Sequence, residues 1–210
     1  MTSVPSIWDD AQWFLDREDP GMSKEDVRKK YELYVKATDC VMPFEDVWKG
    51  YVRSRRLKCY RKNIYALEDK MLETSPEGYG NNGFNPLKHF FGDDLYVREI
   101  FMPAGQLIMS RLHKFTHPYF IMKGEVSVLT ENGPIHVTAP YWGMTQSGTK
   151  RVLYAHKDTV WITVHSAEKK DTDILEEELT AVNFDHVMVE DDANVKAFVE
   201  LIQEEELKCQ

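Results

Sequence analysis

The chain has 210 residues, with 35 Asp and Glu against 26 Lys and Arg, a formal net charge of −9. That balance argues against general affinity for nucleic acid or an anionic membrane. Hydrophobic residues make up 42% and aromatics 12%, which excludes wholesale disorder and allows one full-size core with an appendage, or two small units.

The first residues, MTSVPSIWDDAQWFLDRED, have no basic n-region and no apolar h-region, so no signal peptide is expected. Residues 1–75 read as a helical N-terminal region. Ser23 followed by Asp26 reads as a capping box before VRKKYELYVKA, and Pro43 suits the first turn of a second helix. Along that helix Phe44, Trp48, Tyr51, Val52, Ile64, Leu67 and Met71 recur mostly at three- and four-residue spacing. Lys49, Arg53, Arg55, Arg56, Lys58, Arg61 and Lys62 fall between Trp48 and Lys62 with no acid among them. A basic helix with interleaved aromatics can bind nucleic acid. In a chain this acidic, a solvated face or one that meets the acidic C-terminal zone is the better reading, and no nucleic-acid partner is expected.

Ser, Pro, Gly and Asn fill nine of the twelve positions from Ser75 to Pro86, so 76–86 reads as a linker. From 87 to 167 the pattern becomes short β-rich runs: LYVREIFM, LIMSRLH, YFIM, EVSVLTE, IHVTA, RVLYAH and TVWITVH. Pro-Ala-Gly, Lys-Gly, Asn-Gly, Ser-Gly and Lys-Asp separate them, and Glu131-Asn132-Gly133 is the strongest hairpin signal. These features predict a mainly β, antiparallel sandwich or barrel. Residues 168–210 hold fourteen acids against four Lys and read as an acidic tail with two short helices, DILEEEL and NVKAFVELI. Cys40, Cys59 and Cys209 form no CxxC pair and read as reduced thiols in a cytosolic protein. No run of 18 apolar residues occurs, so no membrane span is expected.

Gly105 to Gly124 reads GQLIMSRLHKFTHPYFIMKG. Positions 111 and 113 are two apart on a strand and share a face, and the loop 114–116 returns His117 toward them. Lys123-Gly124 is expected to form a hairpin turn. The spacing is that of G-x5-H-x-H-x3-E-x6-G, with Gly105 and Gly124 on the glycines, Arg111 and His113 on the two histidines, and His117 on the glutamate. The segment thus resembles the first cupin motif, with its ligand set changed to Arg-x-His-x3-His. For the second motif two registers stay open. One runs from Gly133 through Pro140 and Gly143 with Gln146 at the histidine position. The other places Ser147-Gly148-Thr149 at the turn with Arg151 or Val152 there. The run APYWGMTQSGTKRVLYAHKDTVWITVH, with RLHKFTHPYFIMKGEVSV, is similar to a cupin-like family of tailed bacteriophages and prophages over roughly 87–180. The resemblance implies a cupin-like (jelly-roll) antiparallel β-barrel, a phage origin with a place in the host cytoplasm, and a homodimer.

Three uses of such a barrel compete. The leading one is a non-enzymatic pocket for a polar or anionic small molecule, such as a nucleotide- or sugar-like host metabolite. In it Arg111, His113 and His117 fix the ligand, Arg151 and Lys150 add charge, His156 joins as a second-tier contact, and Tyr119, Tyr154 and Trp161 offer flat walls. The second is a metal-dependent cupin enzyme. His113 and His117 would hold a divalent transition metal (iron, manganese, nickel or zinc) with His156, His165 or Gln146 as third donor. Arg111 in the first ligand position and the missing carboxylate oppose this. The third is a virion or assembly component whose Arg–His–His cluster is a satisfied polar network. On the last strand Trp161, Thr163 and His165 share one face and Val160, Ile162 and Val164 the other, and the sequence leaves open which is interior. No Gly-x-Ser-x-Gly occurs and no catalytic residue is assigned.

Overall fold

The computed structural model describes residues 21–38, 42–74 and 85–184. They divide between two compact units, one within 17–62 and one within 63–189. The linker expected at 76–86 lies outside the described residues except for Asn85 and Pro86. So do Cys40, Cys209, His186, the N-terminal segment and the second acidic helix expected near 194–202.

In the first unit, α1 (Lys24–Thr38) and the start of α2 (Phe44–Thr74) pack around Val27, Val47 and Tyr51. The capping box forms as expected: the Asp26 N–H donates to Ser23 Oγ at 3.2 Å and Ser23 Oγ donates to Asp26 Oδ2 at 2.7 Å. Pro43 stands just before α2, and the Asp46 N–H bonds to its carbonyl. The α2 stripe runs somewhat differently from the expected one: Val47, Tyr51, Tyr60, Ile64 and Leu67 are buried, whereas Val52 is 44% exposed.

The second unit is built on two long strands, β5 (His117–Thr130) and β8 (Val152–Ser166), paired antiparallel along their length. Each has its outer edge covered by two strands in succession. For β8 these are β3 (Leu107–Met109) and β2 (Leu95–Met102), with β1 (Leu87–Phe91) beyond β2. For β5 they are β7 (Tyr141–Thr145) and β6 (Gly133–Thr138). All these pairs are antiparallel, so the expected mainly β, antiparallel class with helices before it is the one found. A short ladder joins β4 (Leu112–His113) to β9 (Thr180–Ala181). Before β9 comes α3 (Thr172–Leu179), at the place of the expected DILEEEL helix. The Asp171 carboxylate caps it, accepting from the N–H groups of Asp173 and Ile174.

Two expected turns fall inside strands instead. Lys123-Gly124 does not turn the chain: β5 runs straight through it, and Lys157-Asp158 likewise lies within β8. The β5–β8 register shifts between Ile121 and Val126, so both segments form a bulged bend. Gly124 has φ +101°, and a Cβ there would lie 2.6 Å from the Asp158 carbonyl oxygen and 2.7 Å from Thr159 Cα. The turn residues of the sequence therefore bend the sheet over its own inner face. Gly124→Ala combines a disfavoured φ with a backbone clash and is expected to cost about 3 kcal/mol, read as a lower urea midpoint. A change below about 0.5 kcal/mol would show that the bend does not depend on the glycine. The expected hairpin at Asn132-Gly133 does form, with Gly133 at φ +104°.

The apolar core lies on the inner face of the bent sheet: Met102, Tyr119, Ile121, Val126, Val128, Val137, Leu153, Ala155 and Trp161. Fully burying a Val, Leu, Ile or Met side chain here is worth about 1.5–3 kcal/mol. Among the described residues no helix is long and apolar enough to cross a membrane.

Candidate functional site

The inner face changes character along its length. On β2, alternation puts Tyr96, Arg98, Ile100 and Met102 on one side. Register then builds rows across the sheet. Leu87, Ile100, Trp161 and Ile121 form an apolar row. His89, Arg98, Thr163 and Tyr119 form the next, and Phe91, Tyr96 and His165 the one after. His117, two residues before Tyr119, joins this polar end, its ring 4.2 Å from that of His165. The face with Trp161, Thr163 and His165 is therefore the interior one: all three are buried.

His113 reaches the same place from β4. Its N–H bonds to the Thr149 carbonyl at 3.1 Å, and its ring lies 4.5 Å from His117 and 6.2 Å from His165. Leu175 and Leu179 of α3 pack on Tyr96. They help line a cavity of about 90 Å³, partly open to solvent, whose polar lining includes Arg98, His113 and His165, with His89 hydrogen-bonded to the Tyr96 hydroxyl at 2.7 Å. Asp173 and Glu176 of α3 also line it. Lys114 fastens the segment, its Nζ donating to the Glu177 carbonyl at 2.6 Å and its N–H to the Leu179 carbonyl at 2.9 Å.

The electrostatics follow from burial. His113 is pushed well below its ordinary range by burial, then by His117, Arg98, His165 and Arg151. His165 is lowered to about 3, again by burial first and then by His117 and Arg98. Burial also lowers His117, although its Nδ1–H donates to the Phe115 carbonyl at 3.0 Å. All three rings are thus neutral at pH 7. Arg98 is lowered by burial too, yet an arginine remains cationic. The His113 Nδ1, the His117 Nε2 and the Arg98 Nε are buried without a hydrogen-bond partner. Among the described residues no Asp or Glu is fully buried; Glu176 of the cavity wall acts on Arg98.

Of the residues singled out by sequence, His113, His117 and Arg151 meet here. The Arg151 guanidinium stacks over the Tyr119 ring at 5.2 Å. Arg111 does not share the inward face of His113, because β4 holds only Leu112 and His113. The Arg111 side chain is exposed and pairs with Glu176 at 2.9 Å. Lys150 carries no spare charge, since Glu68 holds it at 2.6 Å. Tyr119 and Trp161 stack on one another at 4.5 Å inside the core and present no wall to a ligand. Tyr154 and His156 lie on the opposite face of β8, where Ser127 Oγ sits 2.7 Å from His156 and 2.9 Å from His136. Gln146 is exposed, beside Thr116. Sequence reasoning missed Arg98, Tyr96 and Glu176 as site residues. The alternation of LYVREIFM, with an arginine on the face of Ile100 and Met102, was the available signal.

No family model matches this chain, and no curated protein matches it. Solved structures are similar to part of it. Ectoine synthase from P. lautus shares 14% identity over 45% of this chain and 72% of its own, with a TM-score of 0.38. An RmlC-like cupin from Shewanella frigidimarina shares 15% over 43% of this chain and 82% of its own, with a TM-score of 0.37. A cupin domain from Bordetella pertussis shares 16% over 39% of this chain and 91% of its own, with a TM-score of 0.32. These similarities cover less than half of the chain. At such identities and scores they carry no argument about what the chain does, which rests on its own residues.

Three neighbouring imidazoles are a donor set to test for a metal. Among the described residues, no three His, Cys, Asp or Glu side chains are arranged to hold a metal ion. Arg98 and Arg151 both act on His113, and their field opposes a further cation. The set does not fit a metal.

Proposed function

We propose that the β unit is a binding module for a small anion, held in the cavity between the polar end of its inner face and α3, with Arg98 as anchor and His113 beside it. One observation carries this reading. Arg98 and His113 line the cavity, and each has a buried nitrogen without a partner. Buried polar groups are almost always paired, and leaving one unpaired costs about 1–3 kcal/mol. A guanidinium is suited to carboxylate or phosphate oxygens; Glu176, the acid that acts on Arg98 from the cavity wall, is itself paired with Arg111 at 2.9 Å.

The cavity also narrows the ligand. A volume of about 90 Å³ is well below the roughly 300–1,000 Å³ of pockets that take drug-sized molecules. The proposal is therefore an ion or molecule of a few heavy atoms. The reading is of a binding module rather than a catalyst. The phage origin, homodimer and cytoplasmic setting rest on the sequence resemblance and play no part in it.

Titration calorimetry of the full chain with acetate and with inorganic phosphate, in chloride-free buffer at pH 7, tests the proposal. A saturable signal at one site per chain is expected for at least one of them, with a melting temperature that rises with ligand concentration. Neither heat nor a shift at tens of millimolar anion would sink it.

A further inference from the structure

The bent sheet has a core face, and its opposite face is apolar as well. Register sets Trp142, Phe120 and Ile162 in one row across β7, β5 and β8. Val164, Val97 and Phe90 run beside it across β8, β2 and β1. Met144 pairs with Pro118 at the β7 side, and Val160 with Phe101 on the other flank. Alternation turns all of these away from Trp161 and Arg98. Trp142 is 68% exposed, Met144 45% and Phe90 52%, so both edges of the band stand in solvent.

Apolar side chains exposed singly are ordinary, whereas a contiguous band marks an interaction surface. Five strands at about 4.8 Å and five residues at about 3.4 Å give it roughly 400 Å² in projection. Side chains standing off the pleat bring its accessible area toward the ~800 Å² per partner of a standard interface. The charges in these rows are Lys88 and Glu99, paired at 2.6 Å, and Lys123 opposite Val160 at the bulge. A chain of net charge −9 repels its own copy over most of its surface, and here two copies meet without an unpaired acid between them. Depletion of charge is also what separates the apolar interfaces of homodimers from those of transient partners. Sheets pack face to face when their twists agree, a condition that a second copy meets by construction.

We infer that this face is the interface of a two-fold homodimer, sheet on sheet, with Trp142 and Phe90 anchoring its two edges. The inference is independent of the anion-binding reading, which concerns the other face.

Sedimentation equilibrium of the full chain from 1 to 100 μM at pH 7 tests it, on the wild type, Trp142→Glu, Phe90→Glu and Val182→Glu. Val182 is 90% exposed and lies outside the face. The wild type is expected at twice the 24.5 kDa of one chain, with a dimer Kd of 10 μM or below, on the order of ordinary specific association. Trp142→Glu and Phe90→Glu should each weaken the dimer at least tenfold, and Val182→Glu should leave it unchanged. A wild-type monomer at 100 μM would overturn the inference and leave the face to another occupant. A dimer that withstands both face variants would overturn it too, as would one that Val182→Glu disrupts equally. Either face variant decides the matter if the other fails to fold, and anion affinity, measured in parallel, reports separately on the cavity.

Discussion

Replacing Arg98 by Met is expected to weaken acetate or phosphate binding about 30- to 150-fold while the melting temperature stays level or rises. The first half follows from charge-assisted hydrogen bonds, worth about 2–3 kcal/mol where a guanidinium meets an oxyanion in a sheltered site. The second follows from the cost of holding that cation in place. Burial lowers the Arg98 pKa, and its Nε has no partner. Its opposing neighbours on β1 and β8 are His89 and Thr163, neither of them an acid. Replacing a buried charge by an apolar side chain of similar reach is often neutral or stabilising. The two readouts should therefore part company. Calorimetric Kd and thermal unfolding of the variant together decide it: unchanged anion affinity would remove Arg98 from the site, and a large drop in stability with affinity retained would make it a structural residue.

Below pH 6.5 the protein is expected to lose stability steeply. His165 titrates near 3 in the folded protein against about 6.5 in an unfolded chain. Between those values the unfolded chain binds the extra proton, so folding stability rises with pH there. The contribution is complete above about pH 6.5 and is lost as pH falls toward 3. One such group gives a slope of about 1.4 kcal/mol per pH unit. His113 and His117 are lowered in the same direction, by burial first. The cluster as a whole should make the slope between pH 6 and 5 steeper than one group gives. The lowered carboxyls of Glu45 and Glu125 act only below their ordinary range near 4.5, so the window from 6.5 to 5 belongs to the histidines. Urea unfolding at half-unit pH intervals measures this, and His165→Phe should remove about one proton from the slope. A wild-type curve that is flat from pH 6.5 to 5 would mean the cluster is solvated or already charged.

What could be read without coordinates was whatever depends on neighbours in sequence. The period-two runs gave β2 residue for residue, because alternation over eight residues has one simple solution. Asn132-Gly133 gave its hairpin, and Ser23 with Asp26 gave a helix start, since a turn or cap is decided within four residues. The spacing from Gly105 to Gly124 drew attention to His113 and His117, and both are buried at the polar end of the sheet.

The tertiary structure decided the rest. A glycine marks a place where side chains do not fit, but only the partner strand says whether the chain turns there or bends through, and Gly124 bends because Asp158 and Thr159 lie against it. Strand parity says which residues share a face and never which face is inside. That was settled by what the bent sheet folds over, which put Trp161 in the core and Tyr154 on the other side. Arg111 stood at the ligand position of the sequence pattern, yet a two-residue β4 frees it to meet Glu176 from α3. The cation of the site is Arg98, thirteen residues upstream of Arg111 and brought beside His165 by β2–β8 pairing. Local order was fixed by short-range sterics and hydrogen bonds, which the sequence carries directly. The site was fixed by long-range register and burial, which exist only once the strands have paired.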